Sequence, residues 1–211
     1  MPPVPPVLPV KVKICGITRV EDALAAVRLG ADALGFNFWP RSRRYLPPAE
    51  ARAIVRRLPA FVTAVGVFVD PTRDEVLRAA DASGVGVAQL HGDEPPGLCA
   101  SLPLPVLKAI RLDGPQALAQ LAAYEVLGFL LDAPSPGYGG SGTTCDWSLA
   151  AEVARELPVV LAGGLTPENV AEAVRTVRPW AVDVASGVES EPGVKSASKM
   201  ARFISRAKET R

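Results

Sequence analysis

The chain has 211 residues, 48% hydrophobic and 21% charged, with a formal net charge of +1. That supports one sizeable core in one domain and excludes a strong global field for nucleic acid or a membrane surface. Three widely spaced cysteines, Cys15, Cys99 and Cys145, argue against a disulfide framework and fit a reducing, cytoplasmic setting.

The opening MPPVPPVLP is apolar but too proline-rich for a signal-peptide core, and it has no basic n-region. Residues 1–9 read as an extended proline-rich leader and residues 10–211 as one domain. From Val10 on, short β-branched apolar runs alternate with longer Ala/Leu/Arg/Glu stretches of helical spacing. A strand is predicted over Val12–Ile17, then a helix over Val20–Leu29. The next units are Ala33–Phe38 with Pro48–Leu58, Thr63–Val69 with Arg73–Ser83, and Val85–Leu90 with Pro95–Leu102. The last four are Val106–Ile110 with Pro115–Tyr124, Gly128–Asp132 with Ser148–Glu156, Val159–Ala162 with Pro167–Thr176, and Ala181–Ala185 with Ser198–Lys208. Thr18 begins TRVE, an N-cap with a glutamate three residues on. Gly30 and Gly84 follow helices as capping glycines, and Thr166-Pro167 reads as a cap with proline at the first helical position.

The strands are apolar almost throughout, as strands buried on both faces of a parallel sheet are. About eight strand–helix units predict a single-domain (β/α)8 barrel, with a doubly wound open sheet as the alternative. No apolar run approaches the roughly 18 residues of a membrane helix.

In such a barrel, chemistry belongs at the C-terminal ends of the strands. The polar residues there are Cys15; the arginines of WPRSRRY; Asp70; QLHGDE; Lys108 and Arg111; Asp132; AGGLTPEN; and Asp183 with ASGVE. Gly163, Gly164, Ser186 and Gly187 follow the last two strands, where small residues let backbone N–H groups approach a phosphate. The Ser/Gly-rich stretch from Ser135 to Trp147 reads equally as a lid over a phosphorylated substrate or as a plain connection. Among Arg41, Arg43 and Arg44, at least two are expected to be solvated. One histidine, His91, and cysteines without ligand spacing argue against a metal. No P-loop and no GxGxxG after the first strand argue against nucleotide chemistry. Cys15 and Asp132 are the acid–base candidates, provided the thiol is partly ionised and the carboxyl is kept protonated. Equally open are a small buried core residue for Cys15 and a cap or ion-pair partner for Asp132.

In chain order, KICGIT, GFNFWPRSRRYL, VGVFVD, VAQLHGDE, LLDAPSPGYGGSGTTCDW, LAGGLTPENV and RPWAVDVASGVESEPGVKS resemble the phosphoribosylanthranilate isomerases of tryptophan biosynthesis. The resemblance covers the chain from Val10 onward. It implies a (β/α)8 barrel that uses no metal or organic cofactor and rearranges a phosphorylated aminoaldose into an aminoketose. It places the catalytic cysteine on Cys15 and the catalytic aspartate on Asp132. The anthranilate-binding arginine falls on Arg44, and the phosphate-binding residues on Gly163, Gly164, Ser186 and Gly187. Gln89, His91 and Asp183 are further pocket candidates. The implied partner is a small phosphorylated molecule, with no nucleic acid or membrane, and a homodimer is left open. Two positions depart from the family pattern. Cys145 replaces the usual phenylalanine before Asp-Trp, and Ser196, still able to cap the last helix, replaces an aspartate.

Two other readings compete. The aminoaldose isomerase of histidine biosynthesis runs the same rearrangement on a larger substrate with two phosphates, typically with two aspartates. A binding protein on the same barrel would not require both Cys15 and Asp132.

Overall fold

The computed structural model describes residues 9–114, 116–133 and 145–210. The proline-rich stretch 1–8 and the glycine-rich stretch 134–144, which carries most of the expected lid, lie outside the described residues. Strands β1 (Lys11–Cys15), β2 (Ala33–Asn37), β3 (Thr63–Phe68), β4 (Val87–Leu90), β5 (Val106–Arg111), β6 (Gly128–Asp132), β7 (Val159–Leu161) and β8 (Ala181–Val184) form a closed parallel barrel in sequence order. Helices α1 (Val20–Arg28), α2 (Pro48–Val55), α3 (Arg73–Ser83), α4 (Pro96–Ser101), α5 (Gln116–Leu121), α6 (Trp147–Ala154), α7 (Val170–Val177) and α8 (Ala197–Glu209) surround it. Closure by β8 against β1 rules out the open sheet.

Alternation along each strand divides the apolar residues between two shells. Leu107, Ala109, Leu130, Val160, Ala162 and Ala181 fill the barrel interior. Val12, Ile14, Leu34, Phe36, Leu131 and Val182 join the layer between strands and helices, where Met200 and Phe203 of α8 are fully buried. Above the interior apolar floor the inward positions become polar. Lys13, Gln89, Asp132 and Asp183 occupy them, and all four are buried.

The eight predicted units are present, most with boundaries one to three residues away, but two predicted caps are not. Thr18 does not cap α1; Arg19 holds that position without a side-chain bond. The Thr18 hydroxyl donates instead to the Gly193 carbonyl (2.6 Å), because a hairpin of β9 (Glu189–Glu191) and β10 (Val194–Lys195) folds back beside it. Thr166-Pro167 opens a turn, with Thr166 Oγ1 accepting from Glu168 N (3.2 Å), and α7 starts only at Val170. Gly30 and Gly84 do take left-handed conformations after α1 and α3, and Ser196 Oγ accepts from Lys199 N (3.4 Å) at the start of α8.

The full capping box is at α3. Thr72 Oγ1 accepts from Glu75 N (3.3 Å), and Glu75 Oε2 accepts from Thr72 N (2.7 Å). Thr72→Ala is expected to lower stability by about 1 kcal/mol, read from urea unfolding. A change within error would mean that α3 is held by packing alone.

Candidate active site

A cavity opens at the C-terminal ends of the strands. It is lined by Cys15, Arg44, Gln89, His91, Asp132, Gly163, Gly164, Asp183 and Ser186, along with neighbouring residues. Every site residue expected from the sequence reaches it except Gly187, which packs against the Leu165 carbonyl where the last two strand-end loops meet.

Cys15 ends β1 and is buried, facing the cavity. Lys13, two residues earlier, points to the same interior because strand side chains alternate. Its ammonium donates to Asp183 Oδ1 at 2.7 Å, and both groups are buried. Burial and then the Asp183 charge push the Cys15 thiol up, while Lys13 and Lys195 pull it down. A side chain on Gly35 would collide with Cys15 Sγ at 2.7 Å and crowd Lys13 Cε at 3.2 Å, so glycine there makes room for both.

Asp132 ends β6. Its Oδ1 accepts from the Ala133 amide (2.8 Å) and its Oδ2 contacts His91 Nε2 (3.2 Å). His91 Nδ1 in turn meets Gln89 Nε2 at 2.9 Å. Gln89 therefore selects the imidazole tautomer that Asp132 faces. Gln89 Oε1 is buried without a hydrogen-bond partner among the described residues. Gly163 does more than the sequence suggested. A Cβ there would stand 2.6 Å from the Ala133 nitrogen and 2.9 Å from Asp132 Oδ1, so this glycine also admits the carboxylate.

Cys145 is buried below this point, with Sγ 3.7 Å from the Ala162 carbonyl. Burial, followed by the nearby Asp132, pushes its thiol up to about 12, which leaves it a packing residue rather than a second reagent.

Arg44 is held by Glu189 through two 2.7 Å bonds, from Nε and Nη2. Glu189 also takes the Lys195 ammonium at 2.7 Å. Burial would raise the Glu189 pKa, but Arg44 and Lys195 together bring it below the ordinary glutamate value. Arg41 and Arg43 are exposed, as expected for two of the three arginines.

The sequence reading missed Lys13 and Lys195 as site residues and had Glu189 only as the last residue of the strand-end run ASGVE. The Pro192-Gly193 pair in ESEPGVK was a usable turn signal for the hairpin that brings Glu189 and Lys195 together. Lys108, counted among the strand-end polar residues, lies in a separate buried network. It pairs with Glu94 (2.7 Å) and donates to the Gly92 carbonyl (2.7 Å).

Lys13, Arg44 and Lys195 against Asp183 and Glu189 leave one positive charge in surplus around the thiol. A cavity with that surplus, a thiol and a carboxyl on different strands, and two glycines at the ends of the last strands suits acid–base chemistry on a small anion.

Known proteins resemble this chain along nearly its whole length. The family model for N-(5'phosphoribosyl)anthranilate (PRA) isomerase matches residues 12–206. The N-(5'-phosphoribosyl)anthranilate isomerase of Geobacter sp. (strain M21) is 53% identical over 199 residues, covering 94% of this chain and 98% of that protein. The crystal structure of the Thermotoga maritima phosphoribosyl anthranilate isomerase is 46% identical, with a TM-score of 0.90 over 95% of this chain and 99% of that one. A phosphoribosyl anthranilate isomerase in complex with reduced 1-(o-carboxyphenylamino)-1-deoxyribulose 5-phosphate is 42% identical, with a TM-score of 0.86 over 95% of this chain and 99% of that one. The chain belongs to the N-(5'-phosphoribosyl)anthranilate isomerase family.

Proposed function

We propose that Cys15 as base and Asp132 as acid carry the family reaction in this chain, a step of tryptophan biosynthesis. N-(5'-phosphoribosyl)anthranilate becomes 1-(2-carboxyphenylamino)-1-deoxyribulose 5-phosphate. The observation that carries this reading is that both groups line one cavity from strands β1 and β6.

Asp132 gives a proton to the furanose ring oxygen, the bond from that oxygen to C1 breaks, and an iminium forms between C1 and the anthranilate nitrogen. The iminium acidifies the C2–H bond. The Cys15 thiolate takes that proton, and the electron pair moves into a C1–C2 double bond to give an enolamine. Transfer of the C2 hydroxyl proton to C1 then yields the ketone. No metal or organic cofactor takes part in the scheme. His91 holds the Asp132 carboxyl toward the cavity from the side.

The two ends of the substrate are anionic. Gly163, Gly164 and Ser186 offer an open backbone edge for the phosphate, with Gly187 bringing the two loops together beneath it. Arg44, already fixed in the plane set by Glu189, offers its guanidinium edge to the anthranilate carboxylate. Phosphate binding remote from C1 and C2 orients the reacting carbons.

A cytoplasmic setting fits three free cysteines, and no helix among the described residues is long and apolar enough to cross a membrane. A homodimer is part of the reading. Phe61 (98% exposed), Leu127 (55%) and Trp180 (56%) border one apolar cleft at the opposite end of the barrel from the site.

Loss of anthranilate fluorescence from freshly generated phosphoribosylanthranilate is the direct assay. Cys15→Ser and Asp132→Asn are each expected to lower kcat by at least about 100-fold while binding of the reduced product analogue is kept. Full turnover by a folded Cys15→Ser protein would remove Cys15 from the mechanism. Arg44→Met is expected to raise KM about tenfold and change kcat less, because it deletes a charge-assisted contact made in ground state and transition state alike. Sedimentation equilibrium tests the homodimer: twice the chain mass is expected, and a monomer at high micromolar concentration would refute it.

A further inference from the structure

Strand pairing in the closed barrel sets Lys13 of β1 directly opposite Asp183 of β8, one inward position below Cys15. The pair stands on an apolar floor that includes Leu107, Leu130 and Val160. Enclosing two charges there carries a desolvation cost that a packed apolar pair would avoid. Fold stability alone therefore gives no reason for an ion pair at this level, whereas Cys15 does.

An isolated Asp183 carboxylate beside Cys15 would oppose a thiolate. Lys13 cancels that charge and has donors to spare. Its ammonium carries three N–H groups, and among the described residues Asp183 takes one. Cys15 Sγ and Lys13 Cε both border the space that a side chain at Gly35 would fill. The other charges acting on the thiol are committed elsewhere. Lys195 and Arg44 both bind Glu189, and the inward residues of β2 beside Cys15, Gly35 and Asn37, carry no charge.

We propose that Lys13 is a positioning residue for Cys15: pinned by Asp183, it is the cation against which the thiolate forms. The inference rests on the reading of Cys15 as the base. In the resting site the thiol keeps its proton, since burial and Asp183 outweigh the cations. When the thiol gives its proton to solvent in the cavity it lines, Lys13 turns a free N–H to sulfur while keeping its bond to Asp183. The pair then neutralises one of the two adjacent anions, and the thiolate remains basic enough to take the C2 proton.

Removing either partner shifts Cys15 in opposite directions. Lys13→Met deletes the cation and leaves Asp183 unpaired, so the thiolate becomes harder to form. Asp183→Asn deletes the opposing anion and frees Lys13 for sulfur, so it becomes easier. The measurement is the rate of Cys15 alkylation by iodoacetamide against pH, resolved by peptide mass spectrometry from Cys99 and Cys145, together with the pH profile of kcat/KM. At neutral pH, alkylation is expected to fall about tenfold or more in Lys13→Met and to rise severalfold in Asp183→Asn, tenfold corresponding to one pKa unit. The rising limb of kcat/KM should move to higher pH in Lys13→Met and to lower pH in Asp183→Asn. The double variant Lys13→Met/Asp183→Asn leaves no unpaired charge and should fall between the two; it stands in for Lys13→Met if that protein does not fold.

Alkylation profiles that coincide with the wild type, or that slow equally in both single variants, would overturn the proposal. Opposed shifts in alkylation with an unmoved kcat/KM limb would support the coupling of Lys13 to Cys15 and overturn the assignment of Cys15 as base.

Discussion

The parallel pairing of β8 with β1 is the contact on which the rest of this molecule depends. It closes the sheet, and closure turns eight separate strand ends into the rim of one cavity. In an open sheet β1 and β6 would have no common interior, and Cys15 and Asp132 could not line one cavity. The same pairing fixes register. Because side chains alternate along a strand, a slip of one residue would turn Lys13, Cys15 and Asp183 out toward the helices. The interior Lys13–Asp183 contact is satisfied in only one register, so the closure and the site specify each other.

Charge in the site is arranged as two small networks rather than as a diffuse basic surface. Asp183 engages Lys13, and Glu189 engages Arg44 and Lys195. Each carboxylate holds a cation rigidly in a buried place where an unpaired charge would be untenable. Around Cys15 these five groups leave one positive charge in surplus, facing Asp132 across the cavity. The acid side is built from different material. His91 and the Ala133 amide contact the Asp132 carboxyl, Gln89 reaches it only through His91, and no lysine or arginine pairs with it among the described residues. The thiol therefore sits among paired charges and the carboxyl among neutral hydrogen-bonding groups.

The β9–β10 hairpin links fold and site. It brings Glu189 and Lys195 to the rim, and its Gly193 carbonyl takes the Thr18 hydroxyl just beyond Cys15. The end of β1 is thereby tied to the segment that orients Arg44. Thr18 is drawn to this hairpin rather than to the start of α1, where Arg19 holds the cap position.

The order of strands and helices, their parallel direction, and the placing of Cys15, Asp132, Arg44 and the glycines at strand ends and in the loops after them were determined by the sequence alone, whereas closure of the sheet rested on β8 meeting β1. Each of the former is a local property, set by the period of apolar residues or by a short motif at a strand end. Tertiary structure decided what depends on which groups meet. Lys13 reads as one of two lysines flanking Val12 until β8 places Asp183 opposite it. Lys108 reads as a strand-end cation until side-chain alternation buries it against Glu94, outside the cavity. Gly163 reads as a phosphate glycine, and only the packing of β6 against β7 reveals that it also makes room for the Asp132 carboxylate. Glu189 and Lys195 become a clamp on Arg44 only once the hairpin folds back. Proton affinity belongs to the same class, because it follows from burial and neighbouring charge, and neither is written in the order of residues.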